Sequence, residues 1–159
     1  QFIKRYYERF EGLARWKEQV VREAKMRGRF DDGRYPPYDL IPPFGRRRTL
    51  PDLYSDEFRD RSKAERQVVN SIVQGMSAYI MKIAMVDLYN ALQDVPYEAR
   101  LLLSVHDELH VLVEKGAEDL AKELVIATMS GVTFEGKPVL GDVPLMVSAG
   151  IASNWSEAK

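Results

Sequence analysis

No cysteine occurs among the 159 residues, which excludes a disulfide framework and any thiolate-held zinc and permits a reducing compartment without requiring one. No run approaches the roughly 20 apolar residues that a membrane span needs, and no signal-peptide pattern opens the chain. The expectation is therefore a cytoplasmic or organellar protein without a membrane partner. Histidine occurs twice, and both copies lie in a single stretch. A large excess of either charge is missing too: the net charge is −1, which argues against a general attraction to nucleic acid. What is present, 45% hydrophobic and 30% charged residues, fits one globular core of ordinary composition.

The small net charge hides an asymmetry. Residues 1–50 carry 13 Lys plus Arg against 7 Asp plus Glu, whereas residues 51–159 carry 10 against 17. A basic face toward an anionic polymer and an acidic pocket elsewhere would have this signature, and so would unevenly charged solvated surfaces. The chain opens on Gln1 and enters helical periodicity with no N-cap residue before it, as the middle of something longer would.

Tyr6, Phe10, Leu13, Trp16, Val20 and Ala24 recur at spacings of three and four, which predicts one amphipathic helix over 3–27 closed by Gly28. Residues 31–52 hold five prolines and two glycines, which forbid regular helix and mark a long loop. Ser62 and Glu65 make a Ser-x-x-Glu capping box for a second helix running to about Gln93. Two short apolar strands flanking His106 and Asp107 follow, then a helix from about Ala117 to Ser130, a Gly-rich turn and a last strand near Val143 to Ile151. The order α, α, β, β, α, β with closely joined strands predicts an α+β fold with an antiparallel sheet.

At about 100° per residue, Val69, Ile72, Val73, Met76, Ile80 and Ile83 form the expected core stripe of the second helix. Arg66, Asn70, Gln74 and Ser77 fall in a separate arc. Solvated faces favour Lys and Glu, whereas Arg, Asn and Gln in a row present planar donors and acceptors suited to base edges and sugars. A plain polar face remains the alternative reading.

The stretch LLLSVHDELHVLV, residues 101–113, sets two histidines and two acids in an apolar run. An endoplasmic-reticulum retrieval signal of the His-Asp-Glu-Leu type works only at a C-terminus, and this one is internal. A zinc-protease helix would need Glu directly after His106, where Asp107 stands, and would need helix where the alternation predicts strands. As a two-residue hairpin turn, His106-Asp107 is poor chemistry, because such turns favour Asn-Gly or Asp-Gly. Successive strand residues face opposite sides, so Asp107 and Glu108 are not equal ligands of one ion. Hard oxygen ligands of this kind suit Mg²⁺ or Mn²⁺, and a solvated acidic turn stays open beside that reading.

Four stretches in one order are similar to the C-terminal part of a family A DNA polymerase, the bacterial DNA polymerase I type. FGRRRTLPDL (44–53) resembles the segment after the family's last fingers helix. RQVVNSIVQGMSAYIMKIAM (66–85) resembles its R-x-x-x-N-x-x-V-Q-G-T/S helix, LLLSVHDELHVLV its motif C, and VPLMVSAGIASNWSEAK its final strand and tail. The resemblance implies residues 1–60 as the end of the fingers region and 61–159 as the C-terminal palm, an antiparallel sheet with a motif C hairpin packed against long helices in an incomplete polymerase domain. It implies Asp107 as the carboxylate that binds the catalytic metal ions, two Mg²⁺ (Mn²⁺ also fitting), and Glu108 as a weaker neighbouring acid. His106 then lies near the primer terminus, Arg66, Asn70 and Gln74 read the minor groove of the new duplex, and Arg48 touches the template backbone. The implied reaction is attack of a primer 3′-hydroxyl on the α-phosphate of a deoxynucleoside triphosphate (dNTP), with primer–template DNA as partner. Motif A, the source of the second metal-binding aspartate, and the nucleotide-gripping fingers helix have no counterpart here. The resemblance therefore implies a split or processed polymerase, inactive alone and completed by an N-terminal chain. Met76 departs from the family's small polar residue after the glycine. A DNA-binding module without catalysis and a hydrolase using Asp107 and Glu108 are the other classes the residues admit.

Overall fold

The computed structural model describes residues 2–26, 38–41 and 46–157. The helix expected over 3–27 is two helices, α1 (Phe2–Arg9) and α2 (Glu11–Met26). The break falls at Phe10, whose N–H still donates to the Tyr6 carbonyl while its own carbonyl accepts from both Leu13 and Ala14. Gly12 lies two residues on, and a glycine in the first turn weakens continuous helix. Gly28, the expected terminator, lies outside the described residues.

The proline-rich segment is not loop throughout. β1 (Tyr38–Ile41) and β2 (Arg46–Arg48) pair antiparallel, with Tyr38 opposite Arg48. Pro51 then opens a short 3-10 helix, Pro51–Tyr54, where its fixed φ and missing N–H do no harm. Helix α3 runs over Phe58–Ala91 and, at 1.5 Å per residue, is about 50 Å long. It begins before Ser62, so the expected capping box is not formed. Ser62 lies inside the helix, and its Oγ accepts from Arg66 Nη1 at 2.9 Å. The entry is organised upstream instead: Ser55 Oγ accepts from the Glu57 N–H at 3.1 Å, and Arg61 Nη1 donates to the carbonyls of Ser55 and Asp56.

The chain divides into two compact units, Gln1–Ser77 and Ala78–Lys159. In the first, Ala24 of α2, Leu50 and Leu53 around the 3-10 helix, and Ala64 and Val68 of α3 form one buried cluster, with Val20, Val21, Tyr54, Ile72 and Met76 packed against it. The Tyr54 hydroxyl donates to the Ala24 carbonyl at 3.4 Å, and Lys25 pairs with Glu65 at the rim. Burying a leucine such as Leu53 stabilises by about 1.5–3 kcal/mol. Met76 is thereby explained: a small polar residue there would leave the cluster short of apolar volume.

The expected core stripe of α3 is only partly the observed one. Ile72 and Met76 pack into the cluster, but Val73 is 57% exposed and the fully buried positions are Ala64, Val68, Ser71, Ala84 and Leu88. Small residues carry too little hydropathy to announce themselves as core. Ser71 meets its polar requirement by donating Oγ–H to the Gln67 carbonyl at 2.6 Å.

In the second unit, β3 (Ala99–Val105) and β4 (Glu108–Val113) form an antiparallel hairpin in which Leu101 faces Val111 and Leu103 faces His110, leaving Leu102 as a bulged extra residue. Helix α4 (Glu118–Ser130) carries Glu118 and Asp119 in its first turn, where the exposed N–H groups favour acids. β5 (Thr133–Phe134) and β6 (Lys137–Pro138) close a second small hairpin through Glu135 and Gly136. Leu88, Leu92, Ala117, Ala121 and Val132 are the buried apolar residues of this unit with Ala84. The α+β class with antiparallel pairing holds, as three two-stranded sheets among the described residues. The last strand expected at 143–151 is not observed. Leu145, Val147 and Ala149 do alternate with more exposed neighbours, but a strand requires ladder bonds, and no described segment pairs with this one. Among the described residues no helix is long and apolar enough to cross a membrane.

Candidate functional site

The apolar runs on either side of His106 and Asp107 pair as β3 and β4, and the pairing of Val105 with Glu108 leaves those two residues as the whole turn. His106 takes φ 53°, in the left-handed region. For a residue with a Cβ this conformation costs about 1–2 kcal/mol. His106, Asp107 and Glu108 are all exposed at the tip. Asp107 makes no hydrogen bond or ion pair among the described residues, so its carboxylate is free for an external partner.

Glu108 and His110 lie two apart on β4 and therefore share a face. Glu108 Oε2 stands 3.6 Å from His110 Nε2. The His110 side chain is 15% exposed, its Nε2 is buried without a hydrogen-bond partner, and its ring meets the edge of Trp155 at 6.0 Å with the planes at 89°. Because both histidines are in hairpin rather than helix, the zinc arrangement does not arise. Among the described residues no three His, Asp or Glu side chains gather as a metal site.

Trp155 sits in a turn that ties itself together. Ser153 Oγ donates to Glu157 Oε2 at 2.9 Å, Asn154 Nδ2 to Ser153 Oγ at 3.3 Å, and Ser156 Oγ to Asn154 Oδ1 at 2.6 Å. Hydrogen bonds from Ser153 and then Asn154 hold the Glu157 carboxyl below the usual carboxylate range. The sequence alone did not connect His110 to Trp155. The shared face of Glu108 and His110 was legible from strand alternation, whereas a contact spanning 45 residues of chain was not.

In the first unit, Arg66, Asn70 and Gln74 follow one another at intervals of four along α3, and all three are exposed. Arg66 is steadied by Ser62 Oγ. Asn70 and Gln74 make no side-chain hydrogen bond among the described residues, so the row presents unsatisfied amide groups to whatever lies outside. Arg48 is exposed on β2. The tip belongs to the second unit and the row to the first. A cleft of about 500 Å³ in the second unit is lined by residues that include Tyr89, Leu92, Tyr97, Arg100 and Leu101. Neither Asp107 nor Glu108 lines it, which leaves an acid-pair hydrolase without a substrate pocket there.

Comparison with known proteins points one way. Residues 1–157 match the family described as DNA polymerase family A. The chain is 40% identical over 158 residues to the thermostable DNA polymerase I of Thermus filiformis, covering 99% of this chain and 17% of that protein. To the DNA polymerase I of Bacillus caldotenax it is 39% identical over 160 residues, covering all of this chain and 16% of that one. Among solved structures, the polymerase domain of Pol1 from M. smegmatis, in complex with DNA primer–template and dNTP, matches with a TM-score of 0.77 and 33% identity, over 98% of this chain and 25% of that one. The chain thus spans about one sixth of the length of these relatives.

Proposed function

The chain belongs to DNA polymerase family A, and from that premise we propose that it is the C-terminal portion of a DNA-directed DNA polymerase, adding deoxynucleotides to a primer 3′-end under template direction. The observation that carries the reading is Asp107: an exposed, unpartnered carboxylate at the tip of a turn built from residues that turn stability would not select. In this reading Asp107 is a metal ligand and Glu108 an auxiliary acid. His106 contacts the primer end, the Arg66, Asn70 and Gln74 row follows the minor groove of the duplex, and Arg48 contacts the template backbone. Residues 1–60 would then be the end of the fingers region and 61–159 the C-terminal palm. The cytoplasm of a bacterium, or an organelle, would be its place of work.

Minor-groove acceptors are nearly the same for every correct base pair, so an amide row can test pair geometry without demanding sequence. Asn70 and Gln74, exposed and without internal partners, suit that task, and the basic first 50 residues supply charge for phosphate contacts.

Asp107 fits a hard cation such as Mg²⁺, with Mn²⁺ an alternative, because such ions take one or two carboxylates and fill the remaining shell with water and phosphate oxygens. When bound, such an ion activates the attacking hydroxyl and stabilises the leaving oxygen. The chain's own part is to hold Asp107 forward at the tip and to keep the duplex against α3. One tip carboxylate cannot hold two ions, so the remaining ligands, and the residues that grip the dNTP, would come from a polymerase segment outside these 159 residues, one carrying motif A and the fingers helix.

The test is primer extension with Mg²⁺, comparing the chain alone with the chain mixed with a Bacillus caldotenax DNA polymerase I fragment that ends before the matched region. Extension by the mixture only is the expected result. Extension by the chain alone would overturn the partner requirement. Tight primer–template binding by a mixture that never extends would favour a non-catalytic DNA-binding module.

A further inference from the structure

The buried Nε2 of His110 has no assigned role in the polymerase reading, and it is chemically out of place. A buried ring nitrogen without a partner is costly and uncommon. The polar group facing it is Glu108 Oε2 at 3.6 Å, which a small movement of the exposed glutamate side chain would turn into a hydrogen bond of roughly 2.9 Å. The ring cannot easily turn away to solvent, because Trp155 stands edge-on against it at 6.0 Å. Trp155 is in turn part of the 153–157 turn, closed on itself by Ser153, Asn154, Ser156 and Glu157. A continuous line of contacts therefore runs from the C-terminal turn to Trp155, to His110, to Glu108, and Glu108 follows Asp107 directly.

We propose that His110 is a positioning residue: braced by Trp155, its imidazole donates from Nε2 to the Glu108 carboxylate and so holds the hairpin tip, with Asp107, in one orientation. The inference rests on the polymerase reading of Asp107 and Glu108. It assigns the C-terminal turn a task at the site, that of a brace set behind the carboxylates. Strand geometry makes the link direct, since Glu108 begins β4 and any restraint on it restrains the two-residue turn that precedes it.

The contact is tested on the full chain labelled with ¹⁵N, by two-bond correlation spectra of the imidazoles, with His110→Val identifying the His110 signals by their loss. The expected result is a proton on Nε2 whose resonance moves in Glu108→Gln and in Trp155→Ala. An unchanged His110 signal in Glu108→Gln overturns the inference. The consequence is tested in the mixture with the Bacillus caldotenax fragment. His110→Val should lower kcat for primer extension about five-fold, the worth of one ordinary hydrogen bond, with KM for dNTP unchanged. His110→Gln, whose amide N–H reaches the place of Nε2, should restore most of it. Equal loss in both variants would mean that the ring only fills space and would overturn the positioning role. If the wild-type mixture does not extend primers, the polymerase reading and the positioning role fall together. The spectra of the single chain tell that failure apart from the loss of the contact.

Discussion

Two hairpins of the second unit turn through two residues each, and they do it with opposite chemistry. β5–β6 uses Glu135 and Gly136 at φ 50° and 75°, both positive as in a type I′ turn, with glycine at the second position where it is favoured. β3–β4 uses His106 and Asp107, of which only His106 is at positive φ, and neither is glycine. The difference follows from ladder length. Strands of two residues cannot hold a poor turn closed, whereas the ladder from Ala99–Val113 to Val105–Glu108 can. A long hairpin is thus free to spend its turn on side chains, and the departure from good turn chemistry marks where those side chains are needed.

The strongest way to sharpen that contrast is Asp107→Asn, which keeps the turn and removes the charge. In the assembled polymerase kcat should fall on the order of a hundred-fold or more, the scale of losing one preorganised electrostatic group. The unfolding free energy should stay within about 0.5 kcal/mol, as for other exposed substitutions. Full activity in this variant would make the tip an ordinary turn. In the other hairpin, Gly136→Ala meets no atom within 4 Å of the added Cβ, so its cost is backbone alone, about 1–2 kcal/mol in urea unfolding. No loss would mean that the turn is not held in the left-handed region.

Replacing His106-Asp107 by Gly-Asn gives the long hairpin the glycine that a positive φ at its first turn position favours. Stability should rise by about 1 kcal/mol as the left-handed strain is relieved, while primer extension disappears. A fall in stability would show that His106 makes compensating contacts. The smallest effect concerns the brace. Glu157 is held below the usual carboxylate range by hydrogen bonds to its ionised form, so its contribution is present above the carboxyl's unfolded pKa and is lost as the pH falls through the folded one. The 153–157 turn should loosen only in acid below the ordinary carboxylate range, followed by the Trp155 side-chain NMR signals, and Glu157→Gln should remove that acid dependence.

Much of this was legible in the residues and some was not, for physical reasons. The strands flanking His106 were readable because 101–105 and 109–113 are short apolar runs rich in Leu and Val on either side of polar residues. The Arg66, Asn70 and Gln74 row was readable because spacing by four is a property of the helix itself. The start of α3 was misplaced because Ser-x-x-Glu has the same spelling inside a helix as at its end, and Ser62 serves Arg66 there instead. The core of α3 was misjudged in part because Ala64, buried beside Ala24, Leu50 and Leu53, is small and Ser71 is polar, so neither marks a core position by its hydropathy. The strand expected at 143–151 fails for a different reason: alternation is a property of one segment, and pairing needs two.

Because Leu102 has no counterpart on β4, changes of residue and changes of length are different kinds of event in this hairpin. A substitution at Leu102, which is 56% exposed, leaves the count of residues between the base and the tip intact. Deleting it would leave Leu101 opposite Val111 and Leu103 opposite His110 in an unbroken ladder, and would remove the bend and added twist that the extra residue gives the strand. The aim of the tip is thus set by a count of residues rather than by their identity. A shortened hairpin would stay paired and carry Asp107 in a different direction.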